Sequence, residues 1–414
     1  MELENLCALA KEAKYEIAGL DTEKKNSALI RIADLLVKES ESIIMANARD
    51  IAAATTKGMS IPLIDRLRLS DDRIKAMAEG LKQVAELPDP LTDVLEEWER
   101  PNGLKLKKVR VPLGVIGIIY ESRPNVTADA FALTFKSGNA VILKGGSDAL
   151  YSNTAITSVI RKGLKEEGIN ENAISLIEST DRETTVRFMQ MRDYVDVLIP
   201  RGSAGLIRSV VENSKIPVIE TGAGNCHIYI DAAADLNKAK SIVVNAKTQR
   251  LGVCNAAESL LIHESVAQSI FPDIARALHD KSVELRGDET ALASSEFVVP
   301  ASEEDYGKEY LDLMMSVKTV KDVDEAIAHI NKYSTHHSEA IITEDEAAAE
   351  KFLQGVDSAC VYVNASTRFT DGFEFGFGAE IGISTQMLHA RGPMGLKELT
   401  SYKYQIRGNG QVRG

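Results

Sequence analysis

Gly114-Val115-Ile116-Gly117-Ile118-Ile119-Tyr120, followed at once by Glu121-Ser122-Arg123-Pro124-Asn125, sets the frame for the whole chain. A short apolar run rich in β-branched residues that stops at a polar loop reads as a strand. Similar runs recur at Ala140–Leu143, Ile174–Ile177, Val195–Ile199 and Val218–Glu220, with amphipathic segments between them. The alternation predicts a parallel, doubly wound α/β sheet. Such sheets bind ligands at the carboxyl ends of their strands, so a site is expected in the loops after Tyr120, Leu143, Ile199 and Glu220.

Upstream, residues 1–95 read as helices, with Asp21 as an N-cap and Leu29, Ile32, Ala33, Leu36 and Ile43 at helical spacing on one face. Asn102-Gly103 is a two-residue hairpin signal, and Lys108-Val109-Arg110-Val111-Pro112-Leu113 alternates as a half-exposed strand does. A second α/β region runs from about Asp231 to Pro393. The tail, with Ser401-Tyr402-Lys403-Tyr404-Gln405-Ile406, alternates again and can pair with another strand or another subunit.

At 414 residues the chain is too long for one ordinary core, and roughly 150 residues per domain gives two to three. With 44% hydrophobic and 26% charged residues it reads as a globular enzyme, not a disordered or fibrous chain. The net charge of −13 argues against nucleic acid or an anionic membrane as a general partner, so an anionic substrate needs a local positive pocket. Four cysteines (Cys7, Cys226, Cys254, Cys360) make neither a disulfide framework nor a zinc motif, which fits a reducing compartment. With no basic-then-apolar leader and no run near the roughly 18 apolar residues of a membrane span, a cytoplasmic protein is expected.

Gln249-Arg250-Leu251-Gly252-Val253-Cys254-Asn255-Ala256-Ala257-Glu258 places one cysteine in a Gly-containing bend ahead of an apolar run. An ordinary thiol is only about three per cent thiolate at neutral pH, so a nucleophilic cysteine needs backbone N–H groups or a positive neighbour. Arg250 and the bend offer both, while a small buried hydrophobe is the alternative. In Ile216-Pro217-Val218-Ile219-Glu220-Thr221-Gly222-Ala223-Gly224-Asn225 a strand-end carboxylate precedes a Gly-rich turn, and Glu220 lies 34 residues before Cys254. Cys226 and Cys360 read as core positions, and Cys7 sits on the first helix. His329, His336 and His337 cannot all face one way if Ser334-Thr335 breaks the helix, so no metal site is expected. No G-x-G-x-x-G follows any strand.

The Glu220–Cys254 interval with its Gly-rich turn resembles the aldehyde dehydrogenase superfamily. Four further segments resemble its proline-biosynthetic branch: Tyr120–Asn125, the cysteine decamer, Val363-Asn364-Ala365-Ser366-Thr367-Arg368-Phe369-Thr370-Asp371-Gly372, and the run from Val320 to Ile341. The resemblance extends from Leu29 to about Arg407. It implies two doubly wound α/β domains plus a β-hairpin and C-terminal oligomerisation arm. The cofactor domain is expected at 1–95 and 114–231, the catalytic domain at 232–393, and the arm at 96–113 with 394–414. The implied reaction is NADPH-dependent reduction of L-glutamyl 5-phosphate to L-glutamate 5-semialdehyde with release of phosphate. Cys254 would carry a thioacyl intermediate, and the enzyme would be a homo-oligomer, a dimer or tetramer, that allows handover from glutamate 5-kinase. A hydrolytic semialdehyde dehydrogenase making glutamate is the alternative.

By the same resemblance the oxyanion donors are the Cys254 N–H with Asn125 or Arg123. Hydrolytic relatives have an asparagine where Arg123 falls, and Asn125 lies two residues on. Their carboxylate equivalent to Glu220 activates water, which this reaction does not need, so Glu220 orients the site, moves a proton or caps a turn. Arg123, Arg250 and Arg368 are expected to meet the substrate's anionic groups, with Ser122 and Asn255 beside them. Lys144 is implied at the adenine ribose, where Ser147 replaces a carboxylate of NAD-preferring relatives and thereby favours NADP. The helix start at Gly202-Ser203 is expected to meet the pyrophosphate. Gly222 is assigned to the cofactor as well, and Glu309 to its nicotinamide ribose.

Overall fold

A computed structural model describes residues 2–413. The chain divides into two units: the first holds everything up to Glu220 with Gly376–Gly382 and the stretch from Met394 onward, and the second holds Thr221–Phe375 with Ile383–Pro393.

The first unit begins with the helices Leu3–Ala18, Thr22–Lys38, Ser40–Thr56, Ile61–Leu67 and Asp71–Glu86. Asp21 caps the second of these by accepting the Lys24 amide at 2.8 Å. Leu29, Ile32, Ala33, Leu36 and Ile43 are all fully buried, as their spacing requires. The strands β1 (Val94–Glu99) and β2 (Lys105–Pro112) pair antiparallel. The expected hairpin is present, but its loop is longer than two residues. Pro101 presets a turn closed by the Gly103 amide on the Arg100 carbonyl, and Gly103 itself takes φ 85°. The C-terminal strand Thr400–Arg407 pairs with β2 along its whole length, from Thr400 opposite Pro112 to Arg407 opposite Lys105. The alternating tail thus finds its first partner within the chain.

The parallel sheet of this unit comprises β3 (Val115–Tyr120), β4 (Ala140–Lys144), β5 (Ile174–Leu176) and β6 (Val197–Arg201) in the order β5-β4-β3-β6. Every residue of β3 and β4 is buried, which explains why β3 is apolar throughout and β4 is apolar up to Lys144. The chain steps outward from β3 to β5 and then crosses to the other side of β3. The carboxyl ends of β3 and β6 therefore flank the switch point where such sheets bind ligands. Val218–Glu220 does not form the fifth strand that its sequence predicts. It reaches only an isolated bridge between Leu198 and Val218, because Pro217 has no N–H to extend the ladder.

The second unit is built on seven parallel strands: β7 (Cys226–Ile230), β8 (Ala257–His263), β9 (Glu284–Gly287), β10 (Val298–Pro300), β11 (Met314–Val320), β12 (Ser338–Ile342) and β13 (Cys360–Val363), in the order β10-β9-β11-β8-β7-β12-β13. Since β7 pairs with both β8 and β12, the division between units falls before it, at Glu220, and not after Asp231. Successive residues of a strand face opposite ways, and the core splits accordingly. Ile228, Leu260, Val317 and Ala340 pack with Phe271, Ile274 and Leu278 on one face. Tyr229, Leu261 and Ile341 pack with Ile330 and Phe352 on the other.

Buried ionisable pairs interrupt this apolar interior, among them one beside the loop that carries Cys254. Lys247, in the last turn of the helix Leu236–Thr248, meets Glu258 at the start of β8 at 2.6 Å, both side chains 1% exposed. Burial pushes the lysine down and the carboxyl up, and the mutual attraction opposes both shifts. Removing one partner of such a pair typically costs about 3–5 kcal/mol, because the other charge stays buried alone. Lys247→Met should therefore lose about that much stability in urea unfolding followed by circular dichroism. Lys247→Met combined with Glu258→Gln should recover most of it, and a single-variant loss under about 1 kcal/mol would show that the pair is not buried as described.

Candidate active site

The loop between Lys247 and Glu258 carries Cys254. Its bend is set by Gly252 at φ 68° and closed by the Ala256 amide on the Val253 carbonyl at 3.1 Å. Cys254 is half-buried, whereas Cys7, Cys226 and Cys360 are buried. Burial pushes the Cys7 thiol up to about 12 and the Cys226 thiol well above its usual value. Among the four, Cys254 alone has the partial access a nucleophile needs.

The Gly-rich turn lies directly against this loop. A Cβ added at Gly224 would overlap the Cys254 carbonyl and Cα, so only glycine permits the approach. The Gly224 amide donates to Glu309 at 2.7 Å. Glu309, expected at the cofactor ribose, thus holds the turn against Cys254. Gly222 is likewise tied to packing: its amide donates to the Ile383 carbonyl at 3.2 Å, and a side chain there would strike Thr385.

On the other flank, Ser366–Thr370 is stitched to the Cys254 loop. The Asn255 amide donates to the Thr370 carbonyl at 2.9 Å and to the Arg368 carbonyl at 3.4 Å, while the Thr367 hydroxyl donates to the Asn255 carbonyl at 2.8 Å. Asn255 therefore acts as a structural staple, with its Oδ1 buried and without a partner. Arg368 Nε donates to Gln249 at 2.8 Å. Burial lowers its affinity for its proton, and so does the positive charge of Arg250 beside it, while Cys254 acts in the opposite sense. Arg250 and Cys254 thus both act on the charge of Arg368.

A polar network that the sequence reading missed runs beneath the loop. The Cys226 thiol donates to the Cys254 carbonyl at 3.1 Å and lies 3.8 Å from His337 Nδ1. His337 bonds Ser338 at 2.7 Å, Ser338 bonds Thr370 at 2.7 Å, and Thr370 bonds Tyr362 at 2.7 Å. Burial pushes His337 down to about 4, so it is neutral near pH 7. His329 instead packs 4.5 Å from the Tyr333 ring, and His336 bonds the Asp357 carbonyl. Among the described residues no three possible ligands gather to hold a metal ion.

In the first unit the expected residues cluster at the ends of β3, β4 and β6. Ser122 adopts φ 40° and its hydroxyl bonds Asp148, the residue after Ser147. Arg123 and Asn125 are exposed, and the Asn125 amide donates to Asp129 at 3.0 Å. Burial pushes Asp129 up to about 6. Lys144 is 7% exposed and donates to the Gly145 carbonyl at 2.9 Å, with its ammonium destabilised by burial. Ser147 is exposed and opens a short turn. The Ser203 amide, expected to meet a pyrophosphate, donates at 2.8 Å to Glu121, whose carboxylate fills the space beside Gly202. Ser203 Oγ caps the helix Ala204–Asn213 by accepting the Leu206 amide. Glu220, half-buried, is the last residue of this unit before the turn.

A profile of the Aldehyde dehydrogenase family matches residues 1–294 and 308–404. Gamma-glutamyl phosphate reductase of Lachnospira eligens is 58% identical over 411 residues, 99% of each chain. The protein of the same name from Caldanaerobacter subterraneus subsp. tengcongensis is 56% identical over 413 residues, 100% of each. The crystal structure of gamma-glutamyl phosphate reductase from Thermotoga maritima superposes with a TM-score of 0.99 at 50% identity, covering 100% of both chains. An acetylating aldehyde dehydrogenase from Geobacillus thermoglucosidasius shares the fold at a TM-score of 0.68 and 15% identity, over 99% of this chain and 97% of that one.

The contrast in burial predicts the labelling pattern. Iodoacetamide should modify Cys254 first in the native protein, with the other three protected until unfolding. Gly224→Ala should slow that labelling by displacing the Cys254 backbone. Equal labelling of Cys226, identified by peptide mass spectrometry, would contradict the arrangement.

Proposed function

Because the chain belongs to the aldehyde dehydrogenase family, we propose that it reduces L-glutamyl 5-phosphate to L-glutamate 5-semialdehyde with release of phosphate, using NADPH. The observation that carries this reading is the full-length identity of 56–58% to proteins named gamma-glutamyl phosphate reductase. The half-buried Cys254 gives it a chemical centre.

In the proposed cycle Cys254 Sγ attacks the acyl carbon of the substrate. The C–O bond to phosphate breaks with its electron pair leaving on the phosphate oxygen, and a thioacyl group remains on the sulfur. When bound, NADPH would supply the hydride that takes this group to the aldehyde level, and the C–S bond would then break with its electron pair returning to Cys254 Sγ, freeing the semialdehyde. The Cys254 N–H stabilises the oxyanion of each addition. Arg250 and Arg368 supply the positive charge that an anionic substrate needs within a chain of net charge −13. Glu220 orients the site or moves a proton, since no water need be activated.

The residues present suit a phosphorylated dinucleotide. The Ser203 amide at the helix start would hold a pyrophosphate only once the Glu121 carboxylate, to which it donates at 2.8 Å, moves aside. Lys144, Ser147 and Gly202-Ser203 would hold the cofactor. Ser147 carries no charge to repel a 2′-phosphate, and the neighbouring Asp148 is engaged by Ser122. Gly222 and Glu309 support the cofactor side indirectly, through the turn. We further propose a cytoplasmic homo-oligomer that assembles through the three-stranded sheet of β1, β2 and the C-terminal strand and accepts its labile substrate from glutamate 5-kinase. No helix among the described residues is long and apolar enough to cross a membrane.

The reaction is tested in the oxidative direction. With purified protein, semialdehyde and NADP, the formation of NADPH should rise with phosphate and saturate, giving an acyl phosphate that hydroxylamine traps. Fast steady turnover in phosphate-free buffer, with glutamate as the direct product, would establish the hydrolytic enzyme instead. Ser147→Glu should lower the NADPH/NADH ratio of kcat/KM at least about tenfold, which corresponds to about 1.4 kcal/mol of added repulsion. An unchanged ratio would place the adenosine end elsewhere.

A further inference from the structure

We infer that Arg250 and Arg368 together form the subsite for the phosphoryl group of the acyl phosphate, leaving the α-carboxylate to other donors. The inference rests on the phosphate-releasing reaction proposed above and assigns a ligand within it. Two features of the second unit support it.

The first is position. Arg250 stands four residues before Cys254, and Arg368 sits on the short helical turn Thr367–Phe369. Gln249, adjacent to Arg250, accepts from Arg368 Nε at 2.8 Å. Asn255, adjacent to Cys254, holds the Thr370 carbonyl at 2.9 Å. The loop bearing Arg368 is thus fastened to both flanks of the cysteine loop, so the two segments that carry the arginines keep a fixed relation to each other. Gln249 takes only the Nε–H of Arg368, which leaves the outer N–H groups of its fork for a ligand.

The second is charge. Among the described residues neither guanidinium has a carboxylate at ion-pair distance. Asp371, the acidic side chain next along the chain, is committed to the Phe373 amide at 2.9 Å and the Glu374 amide at 3.4 Å. Two neighbouring cations repel each other, an effect that Asp371 only partly offsets at Arg368, and a phosphoryl group of charge near −2 satisfies both at once through paired N–H···O bonds. The same pair would stabilise the charge that grows on the departing phosphate as its bond to the acyl carbon breaks.

Protection of Cys254 from iodoacetamide tests the assignment without cofactor or turnover. Inorganic phosphate should slow alkylation of the wild-type protein with saturation, and L-glutamate, which carries the α-carboxylate and ammonium but no phosphate, should do so independently. Arg250→Gln and Arg368→Gln should each raise the half-protecting phosphate concentration at least tenfold while moving that of L-glutamate less than twofold. Loss of protection by L-glutamate with phosphate protection retained would overturn the assignment, as would a wild-type protein that phosphate does not protect. If a glutamine variant loses both, Arg368→Lys and Arg250→Lys decide: recovered phosphate protection supports the subsite, and its absence overturns it. Failure of the underlying reaction shows separately, as phosphate-independent oxidation of the semialdehyde by the wild type.

Discussion

The buried contact between Lys247 and Glu258 is the constraint on which the geometry around Cys254 depends. It joins the last turn of a helix to the first residues of a central strand, and the cysteine loop is what lies between. A charge pair at 1% exposure is costly to assemble and more costly to break, so it holds the two ends of the loop at one separation. Glu258 also accepts the Leu311 amide at 3.2 Å, which anchors the segment that carries Glu309. Glu309 in turn holds Gly224 against Cys254. The ion pair therefore sets both the loop and the turn packed on it.

Around that brace each polar group has a mechanical task. Cys226 holds the Cys254 carbonyl from below, Asn255 holds Ser366–Thr370 from the side, and Gly224 leaves the room that any side chain would fill. Several residues that resemble cofactor or substrate ligands by position, Gly222, Asn255 and Glu309, work in this chain by fixing the backbone around Cys254. Such groups act on the proposed chemistry by limiting how far the sulfur and the Cys254 N–H can drift, and a displacement of about 1 Å can cost about a hundredfold in rate.

Much of the architecture was legible because parallel strands buried on both faces are largely apolar, as β3 is throughout and β4 is up to Lys144. Asp21 could be identified because an N-cap is a local feature. The failures are cases where tertiary pairing overrode local pattern. Val218–Glu220 has strand composition but follows a proline at a sheet edge, and β7 starts so soon after the Gly-rich turn that no composition shift marks the boundary between units. The network from Cys226 through His337 to Tyr362 needs β7, β12 and β13 side by side, which no spacing reveals. The Lys247–Glu258 pair had one available signal: two ionisable residues flanking the cysteine loop at positions otherwise apolar. At Ser203 the helix start was expected to meet a pyrophosphate, and its amide donates instead to Glu121 of the same chain.

The central claim is that Cys254 in its braced loop carries the acyl group. One measurement addresses it directly: mixing the enzyme with semialdehyde and NADP in phosphate-free buffer, quenching in acid within the first turnover, and locating the added mass by peptide mass spectrometry. The account predicts a burst of one NADPH per protomer and a hydroxylamine-labile glutamyl adduct on the peptide containing Cys254. A burst without an adduct, or an adduct on any other residue, would contradict it.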